Sequence, residues 1–300
     1  MGYVLLMLAT LSWSFVGILV KAASAAVDST TITLARFAFG VFFLGLFLFI
    51  RDRSLQLRFD MKWIWIGAIG KCMNYFFENI AISIGYSYGN ILVGPVQTVS
   101  LLLLSVVLLK DKVTPRGWFA AAMCVAGVLI ISWNGVPLSE LFSGGALTTL
   151  LFVISGIGAT FHVLSQKLLI RDLDSGTMNF SIFFWASLVM LLPLPWQFEI
   201  KGAMTWTVWL ALVLLGLITG LSFYWFSQAL KKVAFPIAVI VSNTAVLFTI
   251  LWGYLFYGDP VTIYIIGGAV LFTVGLVVLN LPSKRVRLQA AAGCCGAGQH

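Results

Sequence analysis

The sequence predicts an all-α membrane protein of ten transmembrane helices, built as two inverted five-helix repeats with both termini cytoplasmic. Three observations carry that expectation. Apolar blocks about twenty residues long, the length that crosses a hydrocarbon core about 30 Å thick, recur along the 300 residues. Basic residues fall in every second gap between the blocks. A turn-and-helix segment near the middle returns 148 residues later.

In chain order the blocks run over 3–20, 31–50, 63–86, 89–109, 117–133, 146–168, 177–197, 206–230, 235–257 and 261–281. The first lacks a basic leader and a small-residue cleavage site, so it reads as a retained helix. Mean hydropathy is +1.04, with 61% apolar and 9% charged residues, which excludes an ordinary soluble domain. Several of the 11 Trp residues stand near block ends, and Trp63, Trp65, Trp118, Trp133, Trp206 and Trp209 are expected at the lipid interface. Cys72 and Cys124 lie within blocks and read as packing residues. No Cys/His spacing suggests a metal.

Of the 18 Lys and Arg, those after even-numbered blocks are Arg51, Arg53, Arg58, Lys62, Lys110, Lys112, Arg116, Lys167, Arg171, Lys231, Lys232, Lys284, Arg285 and Arg287. The odd-numbered gaps hold Lys21 and Lys201. Cytoplasmic loops carry the basic excess, which sets the orientation in the inner membrane. The net charge of +8 is therefore this asymmetry facing anionic lipid, and not a nucleic-acid surface.

The repeated segment begins at Leu108 and again at Phe256. It pairs Asp111 with Asp259, Thr114 with Thr262, Ala121 with Ala269 and Gly127 with Gly275. An odd number of helices per repeat inverts one copy relative to the other. Inverted repeats are a common plan of secondary transporters, with the substrate site near the midplane at the repeat interface. The expected division is residues 1–134, residues 145–282, and a disordered cytoplasmic tail over 283–300.

Polar groups inside such helices mark cavities or helix contacts. The third block carries Lys71, Asn74, Tyr75, Glu78 and Asn79, which at about 100° per residue form a stripe about 140° wide. The stripe reads as the wall of a water-lined cavity, or else as a buried network holding helices together. Lys71 is a candidate for a substrate carboxylate, and Glu78 for proton coupling. Seven residues apart, or about 10 Å of rise, the two are not expected to pair directly. Thinner stripes add Trp13 and Ser14, Asn90 and Gln97, His162, Tyr224 and Gln228, and Ser242 and Asn243. Trp13, Tyr75 and Tyr224 are candidate stacking groups. His162 reads foremost as a hydrogen-bonded packing residue. Arg36, about five residues into its helix, is expected to snorkel to the headgroups, with attraction of anions as the alternative.

The chain resembles the drug/metabolite transporter superfamily, specifically its ten-helix EamA-type exporters. The residues that carry the likeness are "FYGDPVT" followed by Gly267, Gly268 and Gly275, together with "LARFAFGVFFLGL", "ATLSWSFVGILVKAA" and "FYWFSQALKKVAFPIAVIVSNTAVLFTILWG". Asp259 stands where the family usually has Glu. Asn243 stands near a frequent Pro that the first repeat keeps as Pro95. The aromatic content is similar to that of the superfamily's aromatic amino-acid exporters. The resemblance implies alternating access and a small organic cargo moved outward, most plausibly an aromatic or large apolar amino acid. A different cargo on the same fold, such as a drug cation, and a non-transporting receptor or assembly protein are the rivals.

Enzyme signals fail. Gly70-Lys71-Cys72 lacks the first Gly of a phosphate loop, since position 65 is Trp65, and lacks the Ser/Thr after Lys. No cofactor or ATPase motif appears, so any driving force is a gradient.

Overall fold

The computed structural model describes residues 1–108, 114–135, 146–233, 238 and 241–280. Asp111, Lys112, Glu140 and the 283–300 tail lie outside the described residues. Every expected block contains helix. The elements are α1 (Gly2–Ser14), α2 (Val16–Ser24), α3 (Ser29–Asp52), α4 (Lys62–Ile84), α5 (Val93–Leu108), α6 (Pro115–Trp133), α7 (Ala146–Leu169), α8 (Ser175–Leu191), α9 (Leu194–Gln197), α10 (Trp206–Leu230), α11 (Ala245–Tyr257) and α12 (Ile263–Asn280). Among the described residues there is no strand, only one isolated antiparallel bridge between Val27 and Ile200.

The ends of the helices follow from local chemistry. Asp28 caps α3 by accepting from Thr31 N at 2.9 Å, and Asp174 caps α8 by accepting from Gly176 N at 2.8 Å and Thr177 N at 3.1 Å. Thr114 caps α6, which has Pro115 in its first turn. α8 stops at Leu191, short of the expected end at position 197. Pro193 and Pro195 supply no N–H to continue it, and one separate turn follows.

Among the described residues, five segments are long and apolar enough to cross a membrane: Gly2–Ser24, Ser29–Asp52, Ser87–Leu104, Ala146–Leu169 and Trp206–Leu230. Shorter apolar helices cover Pro115–Ile131, Ser175–Leu191, Val241–Tyr257 and Ile263–Val278. α4, with 23 residues, has the length but carries the polar stripe. Large apolar side chains such as Leu46, Phe49, Leu129, Leu147 and Val270 are exposed, which suits a surface facing lipid.

Apolar burial gives helices little drive to associate in lipid, where the tails are as apolar as Leu, so close backbone approach has to supply it. α4 lies along α7, α3 along α10, and α6 along α12. Gly70 and Gly158 set the first contact. A Cβ on Gly158 would fall 2.6 Å from the Gly70 carbonyl oxygen and 2.7 Å from Asn74 N, where backbone has no room to give. This approach holds the polar stripe of α4 at a fixed distance from α7.

Gly158→Ala is therefore expected to lower the melting temperature of the purified protein, because overpacking costs about 1–3 kcal/mol. A Cβ on Gly267 meets nothing within 4 Å. Gly267→Ala should hold or raise the melting temperature, since Ala favours helix by about 1 kcal/mol.

Candidate functional site

All five residues of the α4 stripe are buried, and they face inward because their spacing puts them on one side of the helix. That side meets a cavity of about 610 Å³. Its wall is drawn from α1, α2, α3, α4, α5, α7, α10 and α11 with adjoining residues. It includes Trp13, Arg36, Lys71, Asn74, Tyr75, Glu78, Asn90, Gln97, His162, Phe223, Ser242 and Asn243. The cavity reaches the surface near Trp63 and the exposed Lys167.

The charges at its centre are apportioned unequally. Arg36 Nη1 donates to Glu78 Oε2 at 3.2 Å and to Asn79 Oδ1 at 2.9 Å. Its guanidinium lies 3.3 Å from the centre of the Tyr75 ring, and Tyr75 is stacked on Phe37. Asn79 is held in turn by donating to Thr33 Oγ1 at 2.8 Å. Arg36 is 2% exposed. It does not snorkel, because the only membrane-buried carboxylate among the described residues sits beside it and outweighs the headgroups.

The salt bridges among the described residues are Arg36–Glu78 and Arg51–Asp52, so Lys71 is in neither. Its ammonium donates to Asn74 Oδ1 at 2.8 Å. It lies 4.1 Å from the centre of the Tyr75 ring and 4.2 Å from that of Phe223. Asn74 is fixed by donating to Ser155 Oγ at 2.8 Å, while Ser155 Oγ donates back to the Asn74 carbonyl at 2.9 Å. A neutral amide and two ring faces thus hold the Lys71 amino group at the cavity wall. Of the five buried polar side-chain atoms without a hydrogen-bond partner among the described residues, four belong to cavity-lining residues: Trp13 Nε1, Arg36 Nε, Asn90 Oδ1 and His162 Nε2. Each such group costs free energy until water or a ligand satisfies it.

Four expected cavity residues lie elsewhere. Ser14 donates to the Leu11 carbonyl at 2.7 Å and accepts from Trp252 Nε1 at 3.0 Å, so it holds α1 to α11. Asn79 stands behind the wall as the partner of Arg36. Tyr224 is turned about 100° from Phe223 along α10. Its ring meets Phe47 and its hydroxyl meets Arg51. Gln228 lines a separate small pocket with Arg51, Asp52 and Asp174. Trp63, expected among lipid headgroups, lines the cavity instead. The expected cavity set lacks Arg36, which is given to the headgroups or to attracting anions, and it lacks Phe223 and Phe226. Arg36 had a usable signal: a buried Glu demands a cation, and Arg36 and Lys71 were the two available. The ring faces had none, since Phe is frequent throughout the chain.

The opposite end is cross-linked by hydrogen bonds. Lys21 Nζ donates to the carbonyls of Ile82, Ser83 and Gly85 at 3.2, 3.3 and 2.5 Å. These are the unsatisfied acceptors at the C-terminus of α4, where a cation is favoured. Asp259 Oδ2 accepts from Ser87 N at 2.9 Å and Ser87 Oγ at 2.5 Å, and Tyr88 OH donates to the Pro260 carbonyl at 3.1 Å. Asp259, for all that it occupies a loop, is 8% exposed. The 26–28 turn meets the 199–201 segment through Asp28 N to Glu199 O and Lys201 N to Ala26 O.

Comparison with known proteins decides the class. The EamA-like transporter family model matches residues 1–133 and 146–281. The chain belongs to the EamA-like transporter family. It is thus a multi-pass membrane transporter and not an enzyme. Among the described residues no group of three or more His, Cys, Asp or Glu comes together as a metal site would need. Two similar relatives are the pseudopaline exporters CntI of two Pseudomonas aeruginosa strains, each 23% identical over 94% of this chain and 97% of its own length. A solved structure described only as that of a protein superposes with a TM-score of 0.67 at 19% identity, covering 93% of this chain and 98% of its own. It supports the fold alone.

Removing one partner of a buried ion pair strands the other, at about 3–5 kcal/mol. Arg36→Met is expected to lower the melting temperature sharply. The double change Arg36→Met with Glu78→Met should recover most of that loss, and a double-mutant cycle in detergent measures the coupling.

Proposed function

We propose that the chain exports small carboxylate-bearing metabolites across the inner membrane by alternating access, foremost aromatic or large apolar amino acids. The observation that carries this reading is the unpaired Lys71 ammonium. Glu78 is already neutralised by Arg36, so a carboxylate cargo that supplies Lys71 with a counter-ion is favoured in the cavity over a drug cation. Trp13, Tyr75, Phe223 and Phe226 give it aromatic walls, and its volume falls within the range of small-molecule sites. The pseudopaline exporter relatives favour export as the direction.

Two inverted five-helix repeats, 1–134 and 145–282, are the architecture behind the cycle. Reciprocal contacts support it. A Cβ on Gly127 would approach the Gly268 carbonyl, and a Cβ on Gly275 would approach the Ala120 carbonyl. The offset of 148 residues turns the first pair into the second, as a two-fold axis between repeats requires. Cys124 Sγ meets the carbonyl of Phe272, its own counterpart at the same offset. The ten-helix count with basic loops inside makes both termini cytoplasmic. The cavity mouth at Lys167 then faces the cytoplasm, and the tied end faces outward.

Counterflow in proteoliposomes tests the cargo. Lys71→Gln is expected to weaken phenylalanine transport at least about tenfold, the worth of a hydrogen bond to a charged group, while sparing phenylalanine amide. Equal losses for acid and amide would overturn the carboxylate assignment. For the topology, all four native cysteines are replaced by Ser and one is placed at Ser54 or at Lys201. An impermeant thiol reagent outside intact cells is expected to label position 201 and leave position 54 untouched. The reverse pattern would refute the orientation.

A further inference from the structure

One aromatic ring gathers two of the four unpartnered atoms of the cavity wall together with the Lys71 amino group. Around Phe223 stand the Lys71 ammonium, 4.2 Å from the ring centre, the Trp13 indole, at 5.0 Å between centroids, and the His162 imidazole, at 5.3 Å and edge-on. All four residues line the cavity. Trp13 Nε1 and His162 Nε2 are buried and have no partner.

The two orphaned atoms have opposite chemistry. An indole N–H can only donate. For the imidazole, Nδ1 lies 3.4 Å from the Gly67 carbonyl oxygen. A carbonyl can only accept, so this contact places the ring proton on Nδ1. In the neutral ring Nε2 is then a bare lone pair, an acceptor. Within reach of one phenyl ring the cavity therefore offers a cation, a neutral donor and a neutral acceptor.

We propose that Lys71, Trp13 and His162 form a clamp for the zwitterionic head of an α-amino acid. Lys71 and the Trp13 N–H hold the carboxylate, and the His162 Nε2 lone pair accepts from the ammonium on the adjacent carbon. The clamp rests on the functional reading above and narrows it, from carboxylates in general to those with an amino group on the α-carbon. A simple anion leaves His162 Nε2 unsatisfied. A site that hydrogen-bonds a polar group rejects analogues lacking it, because its own buried atom is then stranded.

Transport of phenylalanine is compared with that of 3-phenylpropionate, which lacks only the amino group, in proteoliposomes of the intact chain. Wild type is expected to prefer phenylalanine by at least about tenfold. In His162→Phe, which keeps a flat ring and removes the lone pair, that preference should collapse towards unity, and His162→Gln, which keeps an acceptor, should restore part of it. Trp13→Phe, which keeps an aromatic ring but removes the N–H, should weaken phenylalanine more than phenylalaninol, since the lost ring volume is common to both cargoes. A wild type that carries neither acid overturns the functional reading and the clamp with it. A wild type that carries phenylalanine, but whose preference survives in His162→Phe, overturns the clamp alone. Equal losses of phenylalanine and phenylalaninol in Trp13→Phe overturn the donor role of the indole.

Discussion

The ion pair between Arg36 and Glu78 governs the electrostatics of the molecule. Two charges taken out of water cost several kcal/mol each, and only close contact with further hydrogen bonds repays that. Asn79, itself held by Thr33, supplies such a bond, and the Tyr75 ring covers the guanidinium. Because Arg36 takes the ion pair of Glu78, Lys71 is left to bond with Asn74 instead. The pair fixes α3 to α4 and, under the proposed function, leaves Lys71 to meet the cargo.

Close packing does the remaining work of positioning. The approach of Gly70 and Gly158 sets α4 against α7, and on that contact depend the Asn74–Ser155 bonds that orient the amide beneath Lys71. Backbone contact between two helices thus controls the direction of a charged side chain beside it. In lipid, where apolar burial contributes little to helix association, this geometric lock matters more than it would in a soluble domain.

Much of this was legible in the sequence because membrane proteins write their rules in one dimension. The apolar lengths located the helices, and the polar spacing of α4 named its buried face before any helix was placed. What failed required knowing how far helices turn against one another. Trp13 and Ser14 are neighbours, yet one lines the cavity and the other ties α1 to α11. Phe223 and Tyr224 divide in the same way, with the less conspicuous residue on the cavity side. Arg36 was misassigned because headgroups lie a short reach away from its helix position, whereas its carboxylate partner lies 42 residues along the chain.

The seal at the cross-linked end differs in kind from the cavity centre. Lys21 rests on three backbone carbonyls, and Asp259 on a backbone N–H and a hydroxyl. Water can replace every one of these partners in kind as the seal parts. Under the proposed cycle, opening there exchanges one set of hydrogen bonds for another, so little enthalpy separates the two conformations. Such a door is held by geometry and the entropy of bound solvent, and a modest difference in how a cargo sits inside is enough to tip it.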